Sequence, residues 1–329
     1  MAHAAITGAS GLLGANLAAE LITQGHAVSA IRRPSTDTSG LADLPVKWIS
    51  ADLGSIAQLR EVFADADVIF HCAADVSPRR TVTRSMSTAN VDGTRAVIQA
   101  AIDVGTPRMV HTSTVNTIGP DPRGMPADEQ IPWAMDRFKL ASAYALTKWR
   151  AEILVDLAGD RLDAVVVNPT YLVGARDTKP SSGRLIVELA NRKIPFWTPG
   201  YNNFADAAEV ARGMVAAWLH GRRGQRYILG GQELTYRDFM ERVAGVAGVD
   251  PPRRRLPRSA SWLAGKGGDV VELVTRRETT VNSFSVRYAF TDRYRYRSDK
   301  AVRELGYVVA PIEPAIRNAV NWFRSRGMI

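Results

Sequence analysis

Short apolar runs at residues 4–7, 27–31 and 68–70 alternate with helix-like stretches at 12–24 and 59–64, and this alternation constrains the chain more than any other feature. It spells βαβαβ. The pattern continues with a helical stretch at 90–104, a strand at 108–112, a long helix at 142–157 and a strand at 164–167. A helix between successive strands returns the chain to the same end of the sheet, so the strands run parallel and the helices cover both faces. The expected fold is therefore α/β, a doubly wound parallel sheet whose ligands sit at the carboxyl ends of the strands. After Pro169 the order loosens, and Gly174, Pro180, Ser181, Ser182 and Gly183 mark a break before a helix at 185–191. The expected division is a main domain over 1–170, to which parts of 200–230 return, and a smaller α/β region over 171–329. Near the end, a capped short helix at 298–305 stops at Gly306, and a last amphipathic helix carries Ile312, Ile316, Val320 and Phe323 on one side. There is no internal repeat and no low-complexity tract.

Three glycines, Gly8, Gly11 and Gly14, occupy the turn from the first strand into the first helix, in TGASGLLG. Without side chains there, the backbone can approach a pyrophosphate closely, while the helix start supplies free N–H groups and partial positive charge. With Ser10, Leu12 and Leu13, these residues form the candidate cradle of a dinucleotide, which makes the sheet one of Rossmann type. The spacing is GxxGxxG, as in short-chain dehydrogenases. The second strand then delivers Arg32 and Arg33 where an NAD enzyme carries a ribose-binding acid, so NADP is preferred and NAD kept as the alternative. Asp52 and Leu53 follow the third strand, placed for an adenine or equally for a turn and the core. Cys72, Ala73 and Ala74 end the fourth strand and are small enough to let a cofactor lie on the backbone; His71 reads as a packed histidine.

Tyr144 and Lys148 lie four apart on a helix-forming stretch and project from one face. An ammonium beside a phenol lowers its pKa, which suits Tyr144 to giving a proton to a carbonyl or taking one from an alcohol. Thr114, just past the strand MVHTST, offers a hydroxyl to the same substrate oxygen, with Ser113, Thr112 and Thr117 as neighbouring candidates.

Composition closes off other classes. At 46% hydrophobic and 23% charged, the chain of 329 residues is ordinary for a globular protein. Its 42 Lys+Arg against 33 Asp+Glu give a formal charge of +9, which favours anionic partners such as nucleotides, acidic metabolites or anionic membrane surfaces. Nucleic acid is not expected, because Arg253, Arg254, Arg255 and Arg258 sit among Pro251, Pro252 and Pro257 with no interleaved aromatics and read as a solvated loop. The lone Cys72 excludes an internal disulfide and a cysteine-based metal cluster. No apolar run approaches the roughly 18 residues of a membrane span, and the first residues lead straight into a strand. A soluble, cytoplasmic protein with no cleaved leader, no integral membrane segment and no metal is expected, with a homodimer allowed.

Taken in order, TGASGLLG, ADL, VIFHCAA, NVDGT, VHTSTVNTIG, YALTK and NPTYLVG resemble the extended short-chain dehydrogenase/reductases, also called the NAD-dependent epimerase/dehydratase family. RRPSTD, NPTYLVGARDTKPSSGRLI, RYILGGQELTYRDF and SDKAVRELGY are similar to the dihydroflavonol-4-reductase-like branch, which includes hopanoid-associated members. The resemblance implies Thr114, Tyr144 and Lys148 as catalytic residues, with Thr112, Asn168 and Thr170 joining Tyr144 and Lys148 against the cofactor. It also implies Asn90 as a brace for the helix beside the site. Substrate contacts would come from Val76, Ser77, Pro78 and Ser113, from the 119–138 loop, and from Tyr171 and 181–184. Two departures stand out: NFADAAEVA replaces a segment like NFVHVDDVA, and threonine stands where serine is usual.

Trp133, Phe138, Tyr171, Phe196, Trp197 and Phe204 give the expected substrate region an aromatic character that suits an apolar carbonyl compound better than a nucleotide sugar. Trp262, Leu263, Val270, Val271, Leu273 and Val274 form an apolar stretch read as a docked surface helix, with a mobile lid or a lipid-facing surface as alternatives. The expected activity is NADPH-dependent reduction of a ketone to a secondary alcohol. The alternatives are an NAD-dependent nucleotide-sugar epimerase or dehydratase and, outside enzymes, an NAD(P)-binding regulator or redox sensor.

Overall fold

The computed structural model describes residues 1–77, 79–275, 279 and 281–329. Its first part runs β1 (His3–Thr7), α1 (Leu12–Thr23), β2 (Ala27–Arg32), β3 (Lys47–Ser50), α2 (Ile56–Phe63), β4 (Val68–His71), α3 (Arg84–Ser87), α4 (Gly93–Val104), β5 (Met109–Thr112), α5 (Ala143–Ala158) and β6 (Ala164–Pro169). Next come β7 (Tyr171–Val173), α6 (Arg184–Ala190), β8 (Phe196–Trp197), β9 (Tyr201–Asp206), α7 (Ala207–His220), β10 (Arg226–Leu229), β11 (Gln232–Thr235) and α8 (Tyr236–Ala247). The chain closes with β12 (Arg254–Arg255), α9 (Arg258–Thr275), α10 (Ser283–Phe290), α11 (Asp299–Leu305) and α12 (Ile312–Ser325).

Seven parallel strands form the main sheet in the order β10-β6-β5-β4-β1-β2-β3. The order reverses between β1 and β4, and the crevice outside their carboxyl ends is where such sheets take ligands. Val165, Val166 and Val167 of β6 and Ile69 and Phe70 of β4 are all buried, because both faces of the sheet are covered. One cluster, including Leu17, Leu21, Val210 and Met214, packs α1 and α7 on one face; the other, with Leu59, Phe63, Val97 and Ala101, packs α2 and α4 on the opposite face. The return of α7 against α1, and of β10 beside β6, brings residues beyond 200 back to the first unit.

The remaining strands β11-β9-β7 form a small sheet over a third cluster, where Ile312, Ile316, Val320 and Phe323 of α12 are fully buried. Three details differ from the sequence reading. The helix at 90–104 is preceded by a π-helical turn, Thr88–Asp92, which carries Asn90 inward. Arg254 and Arg255 are exposed as expected, yet they form a short strand paired with β8, and Arg258 opens α9. Finally, α9 buries Ser261 and Gly265 while leaving its large apolar residues outside. Its small residues permit close backbone packing that its bulky ones would prevent: a Cβ on Gly268 would lie 1.8 Å from the Val281 carbonyl oxygen.

Candidate active site

The crevice at the β1/β4 reversal is closed to side chains. Gly8 has φ +76, and a Cβ there would lie 2.6 Å from the Ala73 nitrogen; one on Gly14 would lie 2.3 Å from the Gly8 oxygen. Only glycine permits both approaches. Gly11, at the N-cap of α1, contributes no side-chain hydrogen bond, so the first N–H groups of the helix, beside Leu12 and Leu13, remain open to an anion. Ser10 lies in the same turn. These features match the backbone cradle a pyrophosphate needs.

Behind the cradle, a buried chain of hydrogen bonds fixes its two walls. Thr94 gives its proton to the Asn90 carbonyl at 2.7 Å, so it must accept from His71 Nε2, 2.9 Å away. His71 Nδ1 then accepts from the Thr7 hydroxyl at 2.7 Å, and Thr7 in turn accepts from the Ala73 N–H at 3.2 Å. Burial holds His71 neutral, with its pKa pushed down to about 3, followed by the nearby charge of Lys148. It is a structural pin between β1, β4 and α4. Asn90 extends the bracing: its side chain accepts from the Asp75 N–H and donates to the Asp75 carbonyl and to Thr147 on α5.

On α5, whose N-cap Ser142 accepts from Ala145 N–H at 3.0 Å, Tyr144 and Lys148 stand one turn apart. Burial pushes the Tyr144 phenol up to about 12, with a hydrogen bond from Thr114 acting in the opposite direction and Tyr288 of α10 adding to the rise. The expected acidification by Lys148 is not what this geometry gives: desolvation dominates and the phenol keeps its proton. Lys148 acts instead on His71, Cys72 and His111, at the ends of β4 and β5. It is 2% exposed, and its pKa is lowered to about 8, chiefly by burial, with Glu152 pulling the other way. Among the described residues its ammonium has no hydrogen bond and no ion pair, a costly state unless a ligand supplies the acceptors.

Glu152, one turn further along α5, was missed in the sequence. Its carboxylate accepts from Ser113 at 2.5 Å, Thr117 at 2.7 Å and the Asn168 amide at 3.2 Å, and pairs with Arg226 at 3.3 Å. Two expected residues are engaged by it: Ser113 gives its hydroxyl to Glu152, and Asn168 commits its amide nitrogen to Glu152, Thr117 and the Thr114 carbonyl. Thr114 is then the hydroxyl left beside Tyr144; it also accepts from Asn116 N–H at 3.3 Å. The signal for Glu152 was present in the spacing, since Tyr144, Lys148 and Glu152 repeat every fourth residue on a helix face that should otherwise be apolar.

Other expected residues divide. Arg32 ends β2 and Arg33 follows it, both exposed and, among the described residues, free of any carboxylate partner. Asp52 caps the Gly54 N–H in a turn, and Leu53 packs against Gly93. Thr112 donates to the Cys72 sulfur at 3.3 Å, and burial raises the Cys72 thiol to about 11, leaving it an inert wall beside Ala73 and Ala74. Thr170 has a buried hydroxyl with no partner among the described residues. Val76 is exposed in the loop after β4, and Pro78 lies outside the described residues.

Among the aromatics, Phe204 is fully buried and stacked 4.1 Å from Phe239, which makes it core and not a substrate contact. Trp133 packs on Trp149, and Trp197 sits beneath Arg237 and Arg255. Tyr171 donates its hydroxyl to the Ser182 carbonyl at 2.7 Å. An aromatic that acts electrostatically on Tyr144 is Tyr288, whose hydroxyl accepts from Asn202 at 3.0 Å. It is 144 residues away in sequence, beyond the reach of local spacing.

The chain matches the NAD dependent epimerase/dehydratase family over residues 4–230. A protein of Synechocystis sp. provisionally named dihydroflavonol 4-reductase is 31% identical over 334 residues, covering 98% of this chain and 95% of the relative. A Stigmatella aurantiaca enzyme named 4-hydroxy-2-methyl-3-oxo-4-farnesyl-3,4-dihydroquinoline-1-oxide ketoreductase is 31% identical over 309 residues, with 92% and 90% covered. The crystal structure of gox2253 superposes with a TM-score of 0.85 at 31% identity, covering 100% of both chains. With its seven-stranded parallel sheet, glycine cradle and these relatives, the chain belongs to the NAD dependent epimerase/dehydratase family of extended short-chain dehydrogenases, in the dihydroflavonol-4-reductase-like branch, and is an NAD(P)-dependent oxidoreductase.

Proposed function

We propose that this protein reduces a ketone on an apolar metabolite to a secondary alcohol, with NADPH as hydride donor. The observation that carries the reading is the placement of Tyr144 on α5, with Lys148 one turn further along and the Thr114 hydroxyl hydrogen-bonded to its phenol. A phenol with a second hydroxyl beside it is the pair of donors that reduction of a carbonyl requires. When bound, the reduced nicotinamide supplies the hydride to the carbonyl carbon. Tyr144 gives its proton to the carbonyl oxygen, and Thr114 donates a hydrogen bond to the same oxygen as negative charge builds there. Lys148, with no hydrogen-bond acceptor among the described residues, is the group to hold ribose hydroxyls, and the Gly8–Gly14 turn holds the pyrophosphate. An apolar acceptor is favoured because the phenol is desolvated and its neighbour is Tyr288, and because one relative is named for a farnesyl-bearing ketone. The test is NADPH oxidation by purified protein with aromatic, steroid-like and 3-oxoacyl ketones. Cofactor that stays bound on dilution, with turnover of nucleotide sugars, would instead support an epimerase.

The two titrations give a pH profile. In the free protein Lys148 loses its charge near pH 8, well before Tyr144 loses its proton near 12. Since kcat/KM reports groups of the free enzyme, it is expected to be level below about pH 8 and to fall above it. A profile level to pH 10 would remove Lys148 from this role.

Arg32 and Arg33, without a carboxylate partner among the described residues, set the cofactor preference by holding the 2′-phosphate. An Arg32→Ser, Arg33→Ser double variant is expected to raise KM for NADPH at least about tenfold while leaving that for NADH nearly unchanged. Equal losses with both cofactors would show that the arginines do not read the phosphate.

A further inference from the structure

Helix α9 turns the usual arrangement of a surface helix inside out. Ser261 and Gly265 face α10 at close range, and a Cβ on Gly265 would lie 3.1 Å from the Ser283 Cα. Trp262, Leu263, Val270, Val271, Leu273 and Val274 are between 46% and 81% exposed. A helix that packs through small residues and leaves six large apolar ones in solvent exposes far more apolar surface than scattered surface residues do.

The charges around it are sorted as well. Asp269 accepts from the Ser283 N–H and pairs with Arg80 at 3.0 Å. Glu272 accepts from Thr279 and Asn282. Both carboxylates of the helix are therefore spent inward. On the outside remain Lys266, 5.9 Å above the Trp262 ring, and the exposed Arg253, Arg254, Arg255 and Arg258 just before and at the helix start. Among the described residues Arg254 and Arg258 have no carboxylate partner, and Arg253 has only Asp250 at 3.9 Å.

We propose that α9 is a docking surface for an anionic lipid bilayer: its apolar face enters the interface, and the arginines with Lys266 engage the lipid phosphates. Apolar residues flanked by cations, with both carboxylates of the helix turned inward, match the chemistry of such helices. A second copy of the chain is the rival occupant, which a dimer in sedimentation velocity would reveal. The placement also has a use. Asp269 ties α9 to the loop after β4, and α10 beneath it carries Tyr288 toward Tyr144. Resting on the reductase reading, this puts the substrate side next to the membrane, the source of a ketone too apolar for water.

The test is co-sedimentation of the whole protein with phosphatidylcholine vesicles and with equal mixtures of phosphatidylcholine and phosphatidylglycerol. Binding is expected to the mixed vesicles only and to weaken as salt rises. The variant Leu263→Glu, Val270→Glu, Val274→Glu, and separately Arg254→Glu, Arg255→Glu, Arg258→Glu, are each expected to reduce partitioning at least about tenfold with thermal stability and NADPH binding unchanged. No binding to mixed vesicles, equal binding to both kinds, or a dimer in sedimentation velocity that the apolar variant dissociates would overturn the proposal. Because vesicle binding is read without turnover, its failure is distinct from a failure of the reductase reading. A water-soluble ketone turned over normally by the apolar variant, beside loss with a vesicle-borne ketone, is the expected link between the two.

Discussion

Tyr144→Phe is expected to lower kcat for ketone reduction by about 10²–10⁴ while leaving NADPH binding within about twofold, because it removes one proton donor and little else. The phenol is desolvated and keeps its proton, and its polar neighbours are Thr114 and Tyr288. Phenylalanine fills the same ring volume, so the helix and the cradle should be undisturbed. The measurements are steady-state NADPH oxidation and fluorescence titration of the cofactor. Turnover surviving within about tenfold would mean that the proton comes from elsewhere, and the proposed chemistry would fail.

Glu152 carries the second large effect. Replacing it with Ala removes the acceptor of Ser113, one acceptor each of Thr117 and Asn168, and the carboxylate partner of Arg226, all around a site that is 5% exposed. Breaking a buried pair from one side costs about 3–5 kcal/mol, so a fall in denaturant stability of that order is expected. Glu152→Gln separates packing from charge. Its amide oxygen can still accept from the hydroxyls, so most stability should return, but the negative charge that raises the Lys148 pKa is gone. Lys148 then deprotonates below pH 8, and the fall in kcat/KM should move to lower pH. A profile that stays in place in the Gln variant would reduce Glu152 to a purely structural role.

The main sheet was readable because its code is local. Strands buried on both faces give short apolar runs, and connecting helices give the longer period, so β1, β2, β4, β5 and β6 could be placed within a residue or two. The cradle was readable for the same reason: a turn that tolerates no Cβ must be written in glycine, as at Gly8 and Gly14. Tyr144 and Lys148 share a helix face that geometry fixes in advance. What could not be read is where chains distant in sequence meet. Ser113 and Thr114 are neighbours on one extended segment, so their side chains leave on opposite sides. Only the position of Glu152 decides that Ser113 is spent on a carboxylate and Thr114 is left for the phenol.

The same division explains the aromatic residues and α9. Hydrophobicity marks Phe204 and Trp262 alike as candidates for burial, yet one is stacked in the core and the other lies outside. Composition carries no record of which face finds a partner.

By itself, then, the sequence determined the parallel sheet, the glycine turn and the Tyr144/Lys148 pair, because each follows from backbone geometry over a few residues. The tertiary structure alone decided the desolvation of Tyr144, the partners of Ser113 and Asn168, the placement of Tyr288 and the outward face of α9. The physical reason is that desolvation, hydrogen-bond competition and close packing depend on what surrounds a group in space, and those surroundings come from segments that the chain order keeps far apart.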